Sequence, residues 1–284
     1  MNLYLAGLIY AALLLLAANY ELCRRNGKPL TALLSLGLTH IDMLWALVGK
    51  ALAALNPSNR PKYDESSLLH RAASLLAIAY MIWQIWRLLS ARGATDRIWF
   101  APDAGGILLN LAGSTMIFVS LSALGAGWGL RRDREQALRR LGLRWPTLND
   151  CLAGIALGLL IYVAATLAAS VMPAGSTADH LGARALFDAV KSSMPAALAL
   201  AAMAGTGEEI LFRGALQPVF GLFVTSLLFT LLHTHYGLSP ALVILFAVSV
   251  CFGLVRQRFS TTAAIICHAT YNFAPFVLAR LMAA

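Results

Sequence analysis

The sequence predicts an all-α polytopic membrane protein with about eight transmembrane helices. Three observations carry that reading. The 284 residues are 59% hydrophobic and only 12% charged, with a mean hydropathy of +0.71. A soluble domain carries about 25% charged residues, so this chain lacks the polar surface to cover a globule in water. Apolar runs also approach the ~20 residues that a helix needs to cross a bilayer core. Finally, a span exposed to lipid must satisfy its own backbone, which selects helices over open strands.

The runs at 2–20, 67–90, 105–130, 151–172, 192–217, 219–236, 240–255 and 261–282 supply the eight expected spans. Residues 29–55 are a poorer candidate, interrupted by His40, Asp42 and Lys50. Residues 1–20 lack the basic start of a signal peptide, and Arg24 and Arg25 follow them instead. They are expected to be a retained first span with its N-terminus outside.

The net charge of +9 is read as membrane topology rather than nucleic-acid binding. Basic residues lie in short loops, and the densest run is Arg131, Arg132, Arg134, Arg139, Arg140 and Arg144. The positive-inside rule places that run in the cytoplasm, where anionic headgroups can meet it. Counting spans inward agrees if 29–55 is re-entrant or interfacial, and disagrees if it spans. Eighteen Arg against four Lys suggests a GC-rich bacterial genome, hence a bacterial inner membrane. Cys23, Cys151, Cys251 and Cys267 show no CxxC spacing and read as small apolar residues.

Three segments follow: an N-terminal membrane module at 1–130, a basic interfacial linker at 131–150, and a C-terminal core at 151–284. Polar residues inside apolar helices concentrate in the core. Ionisable groups there cost roughly 2.5–3.5 kcal/mol each at a helix centre, so they are functional candidates by default.

The first cluster is Gly205-Thr206-Gly207-Glu208-Glu209-Ile210-Leu211-Phe212-Arg213-Gly214. Glu209 and Arg213 stand four apart and share a helix face, so they can pair. Glu208 points about 100° away with no partner in its helix. It is therefore the carboxylate free to act as a general base. A helix end at the membrane surface is the competing explanation, and it leaves the second Glu unexplained. The second cluster runs from Phe229 to His233, again four apart, with His235 read as an interfacial residue near the following loop. The third pairs His268 with Asn272 on one face of the last span. Alone, this pair reads better as an interhelical hydrogen-bond contact that holds the bundle together.

Turns are expected near Gln217-Pro218 and near 256–260. Measured from them, Glu208 and His268 lie level, ~13 and ~12 Å along their helices. His233 comes out at ~24 Å, too deep unless its helix starts near Gly221 or tilts strongly.

Together the clusters read Glu208-Glu209-x-x-x-Arg213, Phe229-x-x-x-His233 and His268-x-x-x-Asn272. In this order they resemble the CPBP family of intramembrane proteases, which includes the type II CAAX prenyl endopeptidases and bacterial Abi-type proteins. The resemblance covers roughly 145–284 and does not reach 1–130. It implies an intramembrane endopeptidase with its active site inside the C-terminal bundle. Glu208 would activate water, His233 would help hold it, and His268 and Asn272 would stabilise the oxyanion. Glu209, Arg213 and Phe229 would support them. The implied substrate is a membrane-embedded or lipidated peptide or protein, and no cofactor is implied. Zinc ligation by the carboxylates and imidazoles is disfavoured, because no HExxH is present, although the family has often been labelled metalloprotease. Two competing classes remain: a transporter using the buried groups as a proton relay, and a non-catalytic immunity or binding protein on the same scaffold. Inverted repeats would mark a transporter, and none is visible.

Overall fold

The computed structural model describes residues 104–129, 132–172, 187–233 and 239–282. The spans expected at 2–20 and 67–90, the segment 29–55, Cys23, Arg131 and His235 lie outside the described residues. Within them the chain is helical, with no strand.

The elements are α1 (Ala104–Gly125), α2 (Arg134–Leu141), α3 (Leu148–Val171), α4 (Met194–Glu209), a π-helical segment (Ile210–Leu216), α5 (Gln217–Leu232), α6 (Pro240–Arg258) and α7 (Thr261–Met282). Five helical stretches are long and apolar enough to cross a membrane: Ala104–Gly125, Leu148–Val171, Met194–Leu232, Pro240–Arg258 and Thr261–Met282. They fall on the runs expected from 105 onward. The runs at 192–217 and 219–236 are joined in one bent stretch.

That bend departs from expectation. The chain was expected to turn at Gln217-Pro218, but helix continues through Pro218, which sits in the first turn of α5 where its missing N–H is tolerated. The break comes at Gly221, with φ 76° and ψ 173°. This region of backbone space is essentially open to glycine alone. Gly221 folds α5 back on the preceding segment, so that Phe212 and Phe229 meet edge to face at 5.2 Å.

Polar contacts join the short α2 and the turn after it to the start of α7. Asp133 and Gly142 cap the ends of α2. Thr261 donates through Oγ1 to the Leu141 carbonyl at 2.6 Å and through its N–H to that of Gly142 at 3.1 Å. Asp150 closes a capping box with Thr147 at the head of α3. Its fully buried carboxylate also accepts from Arg144 at 3.0 Å and from Ser260 Oγ at 2.9 Å. One acidic side chain thus anchors the start of α3 to the α6–α7 turn.

Below that anchor, α3 and α7 pack closely. A side chain at Gly158 would meet the Cys267 carbonyl at 2.5 Å, and one at Gly154 would meet Ile266. Gly154 and Gly158 are spaced as in a GxxxG contact, where small residues let two helices approach. On the other side, α1 packs against α4, with Thr115 Oγ1 donating to the Met203 carbonyl at 3.0 Å. Thus α1, which falls within 1–130, touches the helix that carries the carboxylates.

Gly221→Ala tests the hairpin. A Cβ at this backbone geometry costs on the order of 1–3 kcal/mol. The variant should unfold at lower denaturant concentration in detergent, whereas Gly125→Ala, on an open helical surface, should be neutral.

Candidate active site

Glu208 and Glu209 end α4, and their environments differ sharply. Glu209 is fully buried. Its Oε2 lies 3.2 Å from Arg213 Nε, an ion pair short of hydrogen-bond geometry. Its Oε1 accepts from His268 Nδ1 at 2.9 Å. The expected Glu209–Arg213 pair is therefore present, and Glu209 also reaches across to α7. Glu208 is only partly buried, and its Oε2 is enclosed without a hydrogen-bond partner among the described residues. A buried carboxylate oxygen left unsatisfied is costly in a folding sense, and such exceptions call for a functional explanation.

Arg213 lies in the π-helical segment and is fully buried. Nη2 donates to the Ser249 carbonyl and to Ser249 Oγ, both at 3.0 Å. Its guanidinium stands 4.8 Å from the Phe229 ring centre, with Phe252 at 5.8 Å and Phe212 at 5.9 Å. These cation–π faces and the Ser249 bonds hold the charge in place of water.

His233 ends α5 and leaves helical geometry at φ −97°, ψ 40°. Its Nδ1 donates back to the Phe229 carbonyl at 2.9 Å, which presents Nε2 as the acceptor of the neutral ring. The Gly221 bend removes the depth problem. Glu208 precedes Gly221 by thirteen residues and His233 follows it by twelve, about 20 and 18 Å of helix respectively. The two arms of the hairpin bring these residues to similar depth.

His268 is buried on α7 and stacks on Phe252, with ring centres 4.6 Å apart. Phe229 lies against both imidazoles, at 4.8 Å from His233 and 6.0 Å from His268. Asn272 stands one turn beyond His268 and is half-buried. Direct contacts thus join Glu209, Arg213, Phe229, His233 and His268. Glu208 and Asn272 come to this group through their neighbours, Glu209 along the chain and His268 one helical turn away.

Sequence reasoning missed Ser249 and Phe252 on α6. A serine and a phenylalanine in an apolar span carry no signal in a single sequence. It also missed the Glu209–His268 contact, which joins two helices and has no spacing to betray it. For a metal, catalytic zinc needs about three protein ligands plus water. No three His, Cys, Asp or Glu side chains are grouped for that among the described residues.

Residues 190–274 match the family model described as type II CAAX prenyl endopeptidase Rce1-like. This segment, from the approach to α4 through most of α7, is similar to that family and contains all three clusters. The CPBP resemblance drawn from the clusters thus agrees with the family model. No curated protein and no solved structure matches the chain.

The buried ion pair gives a stability test. Removing one partner of such a pair costs about 3–5 kcal/mol, whereas replacing both with apolar residues is often neutral. Arg213→Met should therefore be strongly destabilised in detergent unfolding titrations. Combining it with Glu209→Leu should recover most of the loss.

Proposed function

We propose that this chain is an intramembrane endopeptidase that hydrolyses a peptide bond of a membrane-associated, lipidated substrate. The observation that carries this reading is the partly buried Glu208, its Oε2 enclosed beside the Glu209–His268 contact, within the segment that matches the Rce1-like family model.

In this reading Glu208 takes a proton from water as the water oxygen attacks the substrate carbonyl carbon. General bases work within hydrogen-bond reach of the proton they remove. His233, held at Nδ1 by its own helix, offers Nε2 to the same water. The carbonyl π bond opens to a tetrahedral oxyanion, and His268 and Asn272 supply donors to it. Glu209 accepts from His268 Nδ1 and aims Nε2 towards the reacting centre. Collapse of the intermediate re-forms the carbonyl and breaks the C–N bond. Glu208 then returns its proton to the leaving amine.

Two observations support this substrate class. The matched family is described as a type II CAAX prenyl endopeptidase, and the carboxylates lie in a helical stretch apolar enough to span a membrane, where a lipid-anchored peptide would meet them. The basic residues give a sidedness. Arg144 contacts Thr262 and Asp150, so the described arginines of 132–144 share one end of the bundle with Arg256 and Arg258 of α6. The positive-inside rule makes that end cytoplasmic. The chain is read as crossing the inner membrane of a bacterium about eight times, two of those spans falling within 1–103.

Purified enzyme in detergent or proteoliposomes, given a fluorogenic peptide bearing a prenylated C-terminal tail, should release the fluorophore. Glu208→Gln should abolish release while melting like wild type. Asn272→Ala should lower kcat by about 10²–10³, the usual loss of one oxyanion donor. Full cleavage by folded Glu208→Gln would overturn the base assignment. Absence of cleavage by wild type on both prenylated and unmodified membrane peptides would overturn the peptidase reading.

A further inference from the structure

No residue of α6 belongs to the three clusters, yet α6 makes the most direct hold on the charge at their centre. Arg213 has five N–H donors in a rigid plane, and it is enclosed, so its orientation is set by the few groups it meets. One edge, Nε, faces Glu209 Oε2 at 3.2 Å. At the far end, Nη2 is tied twice to one residue, the Ser249 carbonyl and hydroxyl, each at 3.0 Å. Ser249 is itself fully buried. Three residues along α6, Phe252 stacks on the imidazole of His268 with an interplanar angle of 22°.

We infer that Ser249 is a positioning residue for the reaction, acting on His268 through Arg213 and Glu209. The inference rests on the peptidase reading for its kinetic consequence, but its geometry is independent of it. The chain consists of planar groups in series. The Ser249 hydroxyl fixes the rotation of the guanidinium plane. The guanidinium then fixes one carboxylate oxygen of Glu209, which leaves the other, Oε1, aimed at His268 Nδ1 at 2.9 Å. That bond decides which imidazole nitrogen faces the substrate. Phe252 holds the ring plane while Glu209 sets its in-plane direction. Without the hydroxyl, Nη2 keeps only the Ser249 carbonyl, and the guanidinium plane can tilt against its Glu209 and aromatic contacts. The error passes along the chain and reaches the catalytic donor as a small displacement. Displacements of about 1 Å can cost up to ~10²-fold in rate.

The experiment compares wild type, Ser249→Ala and Ser249→Thr as purified full-length chains in detergent, by two readouts. The first is steady-state cleavage of the prenylated peptide. Ser249→Ala should lower kcat about tenfold with KM unchanged, a partial share of the ~10²-fold misplacement effect. Ser249→Thr, which retains the hydroxyl, should restore most of it. The second is the low-field Nδ1–H proton resonance of His268, identified by its loss in Glu209→Gln. It should shift in Ser249→Ala and return towards the wild-type position in Ser249→Thr. Should Ser249→Ala fail to fold, Ser249→Cys replaces it, with similar volume and a much weaker acceptor. An unmoved resonance in the folded hydroxyl-free variant overturns the inference, as does a loss of kcat in Ser249→Thr equal to that in Ser249→Ala. If the resonance moves as expected and wild type cleaves no peptide, the positioning chain stands and the peptidase reading falls.

Discussion

The interaction on which the rest of the site depends is the burial of Arg213 beside Glu209. An arginine cannot shed its charge, so a bundle that encloses one must surround it with partners. Here several elements meet the guanidinium, although Nη1 has no hydrogen-bond partner among the described residues. Glu209 takes the Nε edge, Ser249 takes Nη2, and Phe229, Phe212 and Phe252 lie around it. Helices α4, α5 and α6 and the π-helical segment therefore converge on one cation. Glu209 in turn meets α7 through His268. A buried ion pair is weak evidence for stability, because desolvation offsets much of the attraction. Its value here is specificity of arrangement: few other packings of these helices would satisfy both charges.

The backbone around Arg213 explains two further arginines. In the π-helical segment Gln217 N–H bonds to the Phe212 carbonyl, five residues back. The next residue, Pro218, has no N–H to give. The carbonyls it would otherwise serve are those of Arg213 and Gly214, five and four residues earlier. Arg256 Nε donates to the first at 3.1 Å and Arg140 Nη1 to the second at 3.2 Å. The proline thus opens acceptors that tie α6 and the interfacial α2 to the segment. π-helical turns recur at functional sites, and this one sits directly after the two glutamates.

Much of this was legible because it is local. The i, i+4 spacing announced Glu209 with Arg213, and it singled out Glu208 as the carboxylate without a helical partner. Apolar run lengths located the membrane helices from 105 onward. The turn was misplaced because Pro218 is the more familiar breaker, although a proline in the first turn costs a helix little. Gly221 carries the break, since only glycine accepts that backbone geometry, and a lone Gly in an apolar run gives little warning of it. The GxxxG spacing of Gly154 and Gly158 is a local signal of the close approach to α7. What could not be read is which helix lies against which. That information is stored in contacts such as Ser249–Arg213 and Glu209–His268, whose members are 36 and 59 residues apart.

Two adjacent residues of one type have been given opposite surroundings. Glu209 has an arginine on one oxygen and an imidazole on the other, so both of its oxygens are engaged. Glu208, one position earlier and rotated by about 100°, keeps an enclosed oxygen with no hydrogen-bond partner among the described residues. Separating two carboxylates by environment is how enzymes assign them different work. The engaged one orients, because moving it would break contacts on two helices. The other can change its contacts at that oxygen without breaking a hydrogen bond between helices. The Gly221 hairpin completes the separation. It carries His233 back towards the depth of Glu208 and brings Phe229 against both imidazoles, so the two histidines and the buried ion pair share one aromatic wall.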